Sequence, residues 1–387
     1  MKFKLKKSVL MTAMLAASGI ISSNANAAGT ITFGEDKYIS VGFGAIAGYS
    51  SVENGAANGR DRSNDFNLNH GRIYISGSLN KYIKGMLNTE SSGTGGATEV
   101  IDANIQFQLT DNLAIWAGRF LSPSDRANMA GPFYSMGGGY WSNIASRYGW
   151  NGGTIGRDEG VAFVGNALDQ KLSYSFGVFE ADRIFRFSNV GALSETAGDK
   201  DKLMYAGRLQ YDFWDAEPGY YGTGNYFGAK DILAIGIAGR QKTDGAVSTT
   251  AVGDYKSYSV DFLLEKKNVG PGTFSAEAAY YYYDTDKVFL AEQGNAYSAG
   301  VGYLFNNKVG WGQFMPFLRY QNFAADGSTN ASGLNTSTRD IDTKRIEAGV
   351  NYIIDPYNAL ITASYSDTKV TGASSVNALQ LAVQFQF

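Results

Sequence analysis

Val376-Asn377-Ala378-Leu379-Gln380-Leu381-Ala382-Val383-Gln384-Phe385-Gln386-Phe387 is the last stretch of the sequence, and it alternates strictly. Odd positions from 379 read Leu, Leu, Val, Phe, Phe; even positions from 380 read Gln, Ala, Gln, Gln. Successive side chains of a strand point to opposite faces, so this period of two builds a strand with one apolar and one polar face. A soluble sandwich could use such a strand against its core. What decides the fold is whether the rest of the chain repeats the pattern.

It does. Ile101, Ala103, Ile105, Phe107 and Leu109 alternate with Asp102, Asn104, Gln106 and Gln108, and Ile346, Ala348, Val350 and Tyr352 with Arg345, Glu347 and Asn351. The reading predicts sixteen strands, near 38–49, 68–79, 82–90, 100–109, 112–120, 159–166, 170–179 and 202–213, then 230–241, 254–265, 272–283, 295–304, 314–323, 342–352, 358–366 and 376–387. Most are 9–12 residues long, enough to cross a bilayer when tilted. Brief turns such as Asn80-Lys81 and Thr110-Asp111 alternate with long polar connections, among them 50–67, 121–158, 180–201 and 324–341. An even strand number with short turns at one end and long loops at the other describes an antiparallel up-and-down transmembrane barrel, an all-β fold. Aromatics at strand ends, such as Tyr38, Tyr211, Phe213 and Tyr352, read as interfacial girdles. One connection breaks the rhythm: 214–229 falls at the short-turn end yet is long and rich in Gly and Tyr, which predicts a plug-like flap or an unseen strand pair.

The composition agrees. The 387 residues include 48 Gly and 25 Tyr but only 18% charged side chains, too ordered a mixture for a disordered chain. Zero cysteines exclude a disulfide scaffold, thiolate zinc and a cysteine nucleophile, and His70 is the single histidine. The first residues carry Lys2, Lys4, Lys6 and Lys7, then an apolar run from Val9 to Ile21, then Ala25-Asn26-Ala27. A basic start, a short apolar run and small residues at −3 and −1 predict a signal peptide over 1–27, cut after Ala27, with Ala25 and Ala27 flanking the site. The apolar run is too short to span about 30 Å of hydrocarbon as a helix. Residues 28–387 then form the barrel domain, with 29 basic and 36 acidic side chains, which argues against nucleic acid as a partner.

Leu381, Val383, Phe385 and the closing Phe387 resemble the assembly signal of Gram-negative outer-membrane barrels. With the signal peptide and sixteen strands, the chain resembles an outer-membrane porin. The stretch Trp116-Ala117-Gly118-Arg119-Phe120-Leu121-Ser122-Pro123-Ser124 resembles a strand-to-loop step of the phosphate-selective porin family. The porin resemblance implies a water-filled channel for ions and small hydrophilic solutes, a homotrimer, an outer-membrane location, and as partners membrane lipid, lipopolysaccharide and the barrel assembly machinery. It also implies that the third loop, 121–158, folds inward as a constriction carrying Asp125, Arg126, Arg147, Arg157 and Asp158. A loop that long and aromatic has surface to bury, and loops beyond about 15 residues are usually functional. The bland alternative is a loop packed over the mouth or at a subunit contact.

At sixteen strands side chains no longer fill the lumen, and charge rings set selectivity there. Strand parity predicts Arg72, Lys84, Arg119, Arg208, Arg240, Arg319 and Arg345 inward, with Glu90, Asp102, Asp212, Asp261, Glu265, Glu277 and Glu347. The two sets nearly balance. The resemblance implies arginines set across from loop carboxylates, here Arg72, Arg119 and Arg319 facing Asp125 or Asp158. The rivals are a sugar-binding or anion-binding channel, the former served by loop aromatics such as Trp141, Trp150, Tyr220 and Tyr221, and an enzyme. For the enzyme His70 stands alone, and no G-x-S-x-G, H-E-x-x-H or G-x-x-x-x-G-K-[ST] accompanies it. No metal, nucleotide or haem motif is present, so no cofactor is expected.

Overall fold

The computed structural model describes residues 29–91, 97–139, 141, 144–146, 156–181, 202–247, 252–288, 293–326 and 341–387. The expected signal peptide, with Ala25 and Ala27, and Arg147 lie outside them.

The alternating segments become strands, each hydrogen-bonded antiparallel to its sequence neighbours. In chain order they are β1 (Gly29–Thr32), β2 (Tyr38–Val52), β3 (Asp65–Asn80), β4 (Ile83–Ser91), β5 (Thr98–Thr110) and β6 (Leu113–Leu121). A short helix α1 (Arg126–Ala130) precedes β7 (Arg157–Ala167), β8 (Leu172–Phe179), β9 (Met204–Asp212), β10 (Ile232–Val247), β11 (Val252–Val269) and β12 (Gly272–Asp284). β13 (Gln293–Phe305), β14 (Gln313–Asp326), β15 (Ile341–Asp355), β16 (Ala359–Val370) and β17 (Val376–Gln386) complete the wall. β17 pairs with β2 from Ala378↔Val52 to Gln386↔Gly44, so β2 to β17 form a closed sixteen-strand barrel. Closure satisfies every strand edge, as a spanning β-structure requires.

The terminal alternation has a clear purpose. Leu379, Leu381, Val383, Phe385 and Phe387 lie exposed on the outer surface, where they meet lipid, while Gln384 and Gln386 are buried inside. Outward apolar rows repeat in Val41 and Phe43, Ile73 and Ile75, Ile105 and Phe107, and Ile235 and Ile237. Each exposed apolar residue contributes stability only because the surrounding medium is hydrocarbon.

Three expectations need correction. First, β1 is an additional short strand that pairs with Tyr38–Val41 of β2 in the row where β17 ends, while Phe43 and Phe387 exchange backbone hydrogen bonds of 3.0 and 2.9 Å. Four residues with one aliphatic side chain offer no period to read. Second, several strands outrun the bilayer: β11 has 18 residues and β3 and β10 have 16 each. The expected loop 242–253 is mostly β10 and β11, because backbone pairing continues where the apolar alternation has stopped. Third, of the two alternatives for 214–229 the strand pair falls and the flap stands: the segment holds no strand. It folds back into the barrel as an irregular insert.

Candidate functional site: the barrel lumen

The lumen is occupied from both ends. From one end comes the β6–β7 connection, called here loop 3; from the opposite end comes the β9–β10 turn, residues 213–231, called here the insert.

Loop 3 leaves β6 and turns at Asp125, whose carboxylate caps α1 by accepting from the Asn128 amide at 3.2 Å. An N-cap carboxylate satisfies one of the orphan amides of a helix start. Asp125 also accepts from the Ser146 hydroxyl at 2.9 Å and from Tyr281 of β12 at 3.2 Å. The loop then runs around the far wall. Arg208 of β9 donates to the Ser124 carbonyl at 3.1 Å, and Asp261 of β11 accepts from the Arg126 amide at 3.0 Å. Tyr283 of β12 donates to the Ala145 carbonyl at 2.7 Å, and Trp141 Nε1 donates to Glu277 at 2.9 Å. The Arg319 guanidinium of β14 stacks 4.9 Å from the Trp141 ring and pairs with Glu347 of β15 at 2.7 Å. Asn351 donates to the Met136 carbonyl at 2.6 Å, and Gln384 of β17 to the Phe133 carbonyl at 3.0 Å.

The insert sits beneath α1 and is bonded to it as one body. Arg126 grips Glu217 through two bonds of 2.9 and 2.7 Å and donates to the Thr223 carbonyl at 2.8 Å. Both side chains are at most 5% exposed. Burial alone would raise the Glu217 carboxyl, but the Arg126 guanidinium holds it below its usual value. Arg126 is correspondingly raised, since Glu217 and Asp261 outweigh the lowering effect of burial. The Gly224 amide donates to the Tyr134 carbonyl at 2.8 Å, and the Gly222 amide to the Met129 carbonyl at 3.3 Å. Wall contacts hold the other side: Glu265 of β11 accepts from the Tyr226 amide at 2.8 Å, and Asn225 donates to Ser275 of β12 at 2.8 Å.

Tyr220 explains a reversed parity. Its ring packs 4.8 Å from Trp116 and 5.8 Å from Phe120 on the inner face of β6, with Met129, Val164 and Phe179 in the same buried cluster. Here the apolar residues face inward because the insert covers them. Arg119, expected in the lumen, therefore points outward and pairs with Glu159, itself exposed on β7. Gly118 beside it has φ +122°, and a Cβ there would lie 2.4 Å from the Ala103 carbonyl, so only glycine fits.

The other charges assigned by parity, Arg72, Lys84, Asp102, Arg208, Arg240, Arg319, Arg345, Glu277 and Glu347, lie on the inner face. The ion pairs described for Arg72 and Arg319 lie along the wall. Arg72 pairs with Glu90, which also takes His70 Nδ1 at 2.6 Å. Arg319 pairs with Glu347, and Asp125 accepts from Asn128, Ser146 and Tyr281. Arg157 reaches Asp102 at 3.4 Å.

Space remains against one arc of wall. A cavity of about 120 Å³ lies between β3–β5 and the loops, bordered by Arg72, Lys84 and Asp102 of the wall, Asn128 of loop 3, Arg157, and Tyr221 of the insert. The Lys84 ammonium makes no hydrogen bond or ion pair among the described residues. Asp102 is held by Asn88 at 2.8 Å, by Arg157, and by the Tyr221 hydroxyl at 2.9 Å.

No family model and no curated protein matches the sequence. Solved structures do. An anion-selective porin from Comamonas acidovorans superposes with a TM-score of 0.60 at 13% identity, covering 91% of this chain and 100% of its own. OmpF of Salmonella typhi, in a complex with daunomycin, gives 0.58 at 11% identity over 93% and 100%. The trimer form of OmpT, an outer-membrane protein of Vibrio cholerae, gives 0.56 at 14% identity over 91% and 100%. At such identities the likeness concerns architecture, and it is shared along nearly the whole length: the chain has the fold of the outer-membrane porins.

Proposed function

We propose that the chain is an outer-membrane porin, a water-filled channel through which ions and small hydrophilic solutes diffuse passively. The observation that carries the reading is the cavity on the β3–β5 wall, with Arg72, Lys84, Asp102 and Arg157 at its border, inside a barrel whose outer face is apolar. A barrel this wide needs something to narrow it, and loop 3 is the constriction. At the cavity Arg72 is paired with Glu90 and Arg157 with Asp102, which leaves Lys84 as the cation without an ion pair among the described residues, and that excess favours anions. That bias supports an anion-preferring pore; of the aromatics a sugar channel would use, Trp141 and Tyr220 are packed into the loops and Tyr221 borders the opening. A homotrimer, export by a signal peptide cut after Ala27, recognition of Leu381, Val383, Phe385 and Phe387 by the assembly machinery, and contact with lipopolysaccharide belong to the same reading.

Single-channel recording in a planar bilayer tests it. The refolded protein is expected to give stable ohmic steps, with a reversal potential of anion-preferring sign under a KCl gradient. A silent bilayer with folded protein would overturn the reading.

A further inference from the structure

We infer that the insert, residues 213–231, is a second arm of the constriction, and that Tyr221 on it sets the size limit of the passage. The inference rests on the channel reading and extends it to a segment that enters from the end opposite loop 3.

Tyr221 borders the cavity and donates its hydroxyl to Asp102 on the facing wall at 2.9 Å. That bond carries the ring from the insert to β5, so the side chain forms a crossbar at the margin of the opening. A short turn at this position would leave the opening bounded by loop 3 alone. The insert is also held too firmly to act as loose packing. The Arg126–Glu217 pair is bidentate, as planar guanidinium and carboxylate allow, and two backbone hydrogen bonds join the insert to loop 3. Tyr357, in the β15–β16 turn, donates to the Asn225 carbonyl at 2.6 Å and ties the insert to a third side of the lumen. A solute that clears loop 3 therefore still meets Tyr221, whose ring excludes by volume and whose bond keeps Asp102 facing Arg157.

Conductance of two variants tests the assignment. Tyr221→Ala removes the crossbar and is expected to raise single-channel conductance by about two-fold, because pore dimensions govern conduction. It should also admit larger neutral polyethylene glycols in exclusion measurements. Tyr221→Phe keeps the ring and should retain the wild-type size limit. Equal conductance and equal exclusion in the two variants would overturn the inference while leaving the ohmic wild-type channel intact. Should the alanine protein not fold, Tyr221→Cys supplies the only thiol in a chain with no cysteine. A methanethiosulfonate reagent is then expected to reduce the current of open channels by at least half, and an unaltered current would count against the inference. Absence of any channel in the wild type would instead remove the parent reading.

Discussion

Two arcs of the same wall have opposite fates. From β9 to β15 the inward charges are consumed by the lumen loops: Asp261 binds an amide of Arg126, Glu265 caps the insert, Glu277 accepts from Trp141, and Arg319 stacks on it. From β3 to β5 a cavity remains, bordered by Arg72, Lys84 and Asp102; Arg72 is paired with Glu90 and Asp102 with Arg157, and the Lys84 side chain has no ion pair among the described residues. Both arcs carry ionisable side chains on the lumen face of good strands, so strand parity treats them alike. A charge buried under a loop with its partner is part of the scaffold, and only a charge facing the passage acts on a solute. Of the nearly balanced inventory of inward charges, Lys84 is thus left at the cavity as the cation with no ion pair among the described residues.

The covered arc can be broken most severely at its centre. Glu217→Ala leaves the Arg126 guanidinium buried without its principal partner, and should cost about 3–5 kcal/mol in denaturant unfolding of the detergent-solubilised protein. A loss near zero would mean that loop 3 and the insert do not form one body. Next is Trp141→Phe, which keeps a ring under Arg319 but strips Glu277 of a donor. It should cost about 1–3 kcal/mol and leave the reversal potential unchanged. A shifted potential would show that Glu277 faces the passage and would blur the distinction between the arcs.

Acidification sharpens the same point. Glu217 is held below its usual carboxylate value, so the pair's contribution is complete above the unfolded-state value of about 4.3 and is lost as pH falls through the depressed one. Conductance is therefore expected to be insensitive to Glu217 between about pH 7 and pH 5. In Glu217→Gln the low-pH change should be present already at neutral pH; a wild-type and variant that respond identically to acid would contradict this. Arg119→Gln marks the lower end of the scale. Its ion pair with Glu159 lies on the outer face, exposed on both sides, so the substitution should cost about 0–1 kcal/mol and leave selectivity untouched.

The fold was legible because each spanning strand carries its own evidence. The alternations at 101–109, 346–352 and 379–387 are local, and lipid outside with polar lumen inside forces them. Legibility ended where that force ended. The outer parts of β10 and β11 lie beyond the apolar band, and β1 is too short to show a period. At β6 the signal inverted, since Trp116 and Phe120 answer to Tyr220, a residue about a hundred positions away. The length of 214–229 announced an anomaly, and its Gly and Tyr content was the only hint of an insert. No local pattern could report that Glu217 meets Arg126, or that loop 3 and the insert leave a cavity beside β3–β5. Those are properties of how two irregular segments share one volume.

The most direct measurement of that division is the reversal potential of Lys84→Glu against wild type, in a planar bilayer under a KCl gradient. Lys84 is the lumen cation beside the cavity whose side chain has no ion pair among the described residues, so reversing its charge should move the potential toward cation preference while the barrel stays folded. Unchanged potentials in the two proteins would place the passage elsewhere in the lumen and contradict the account.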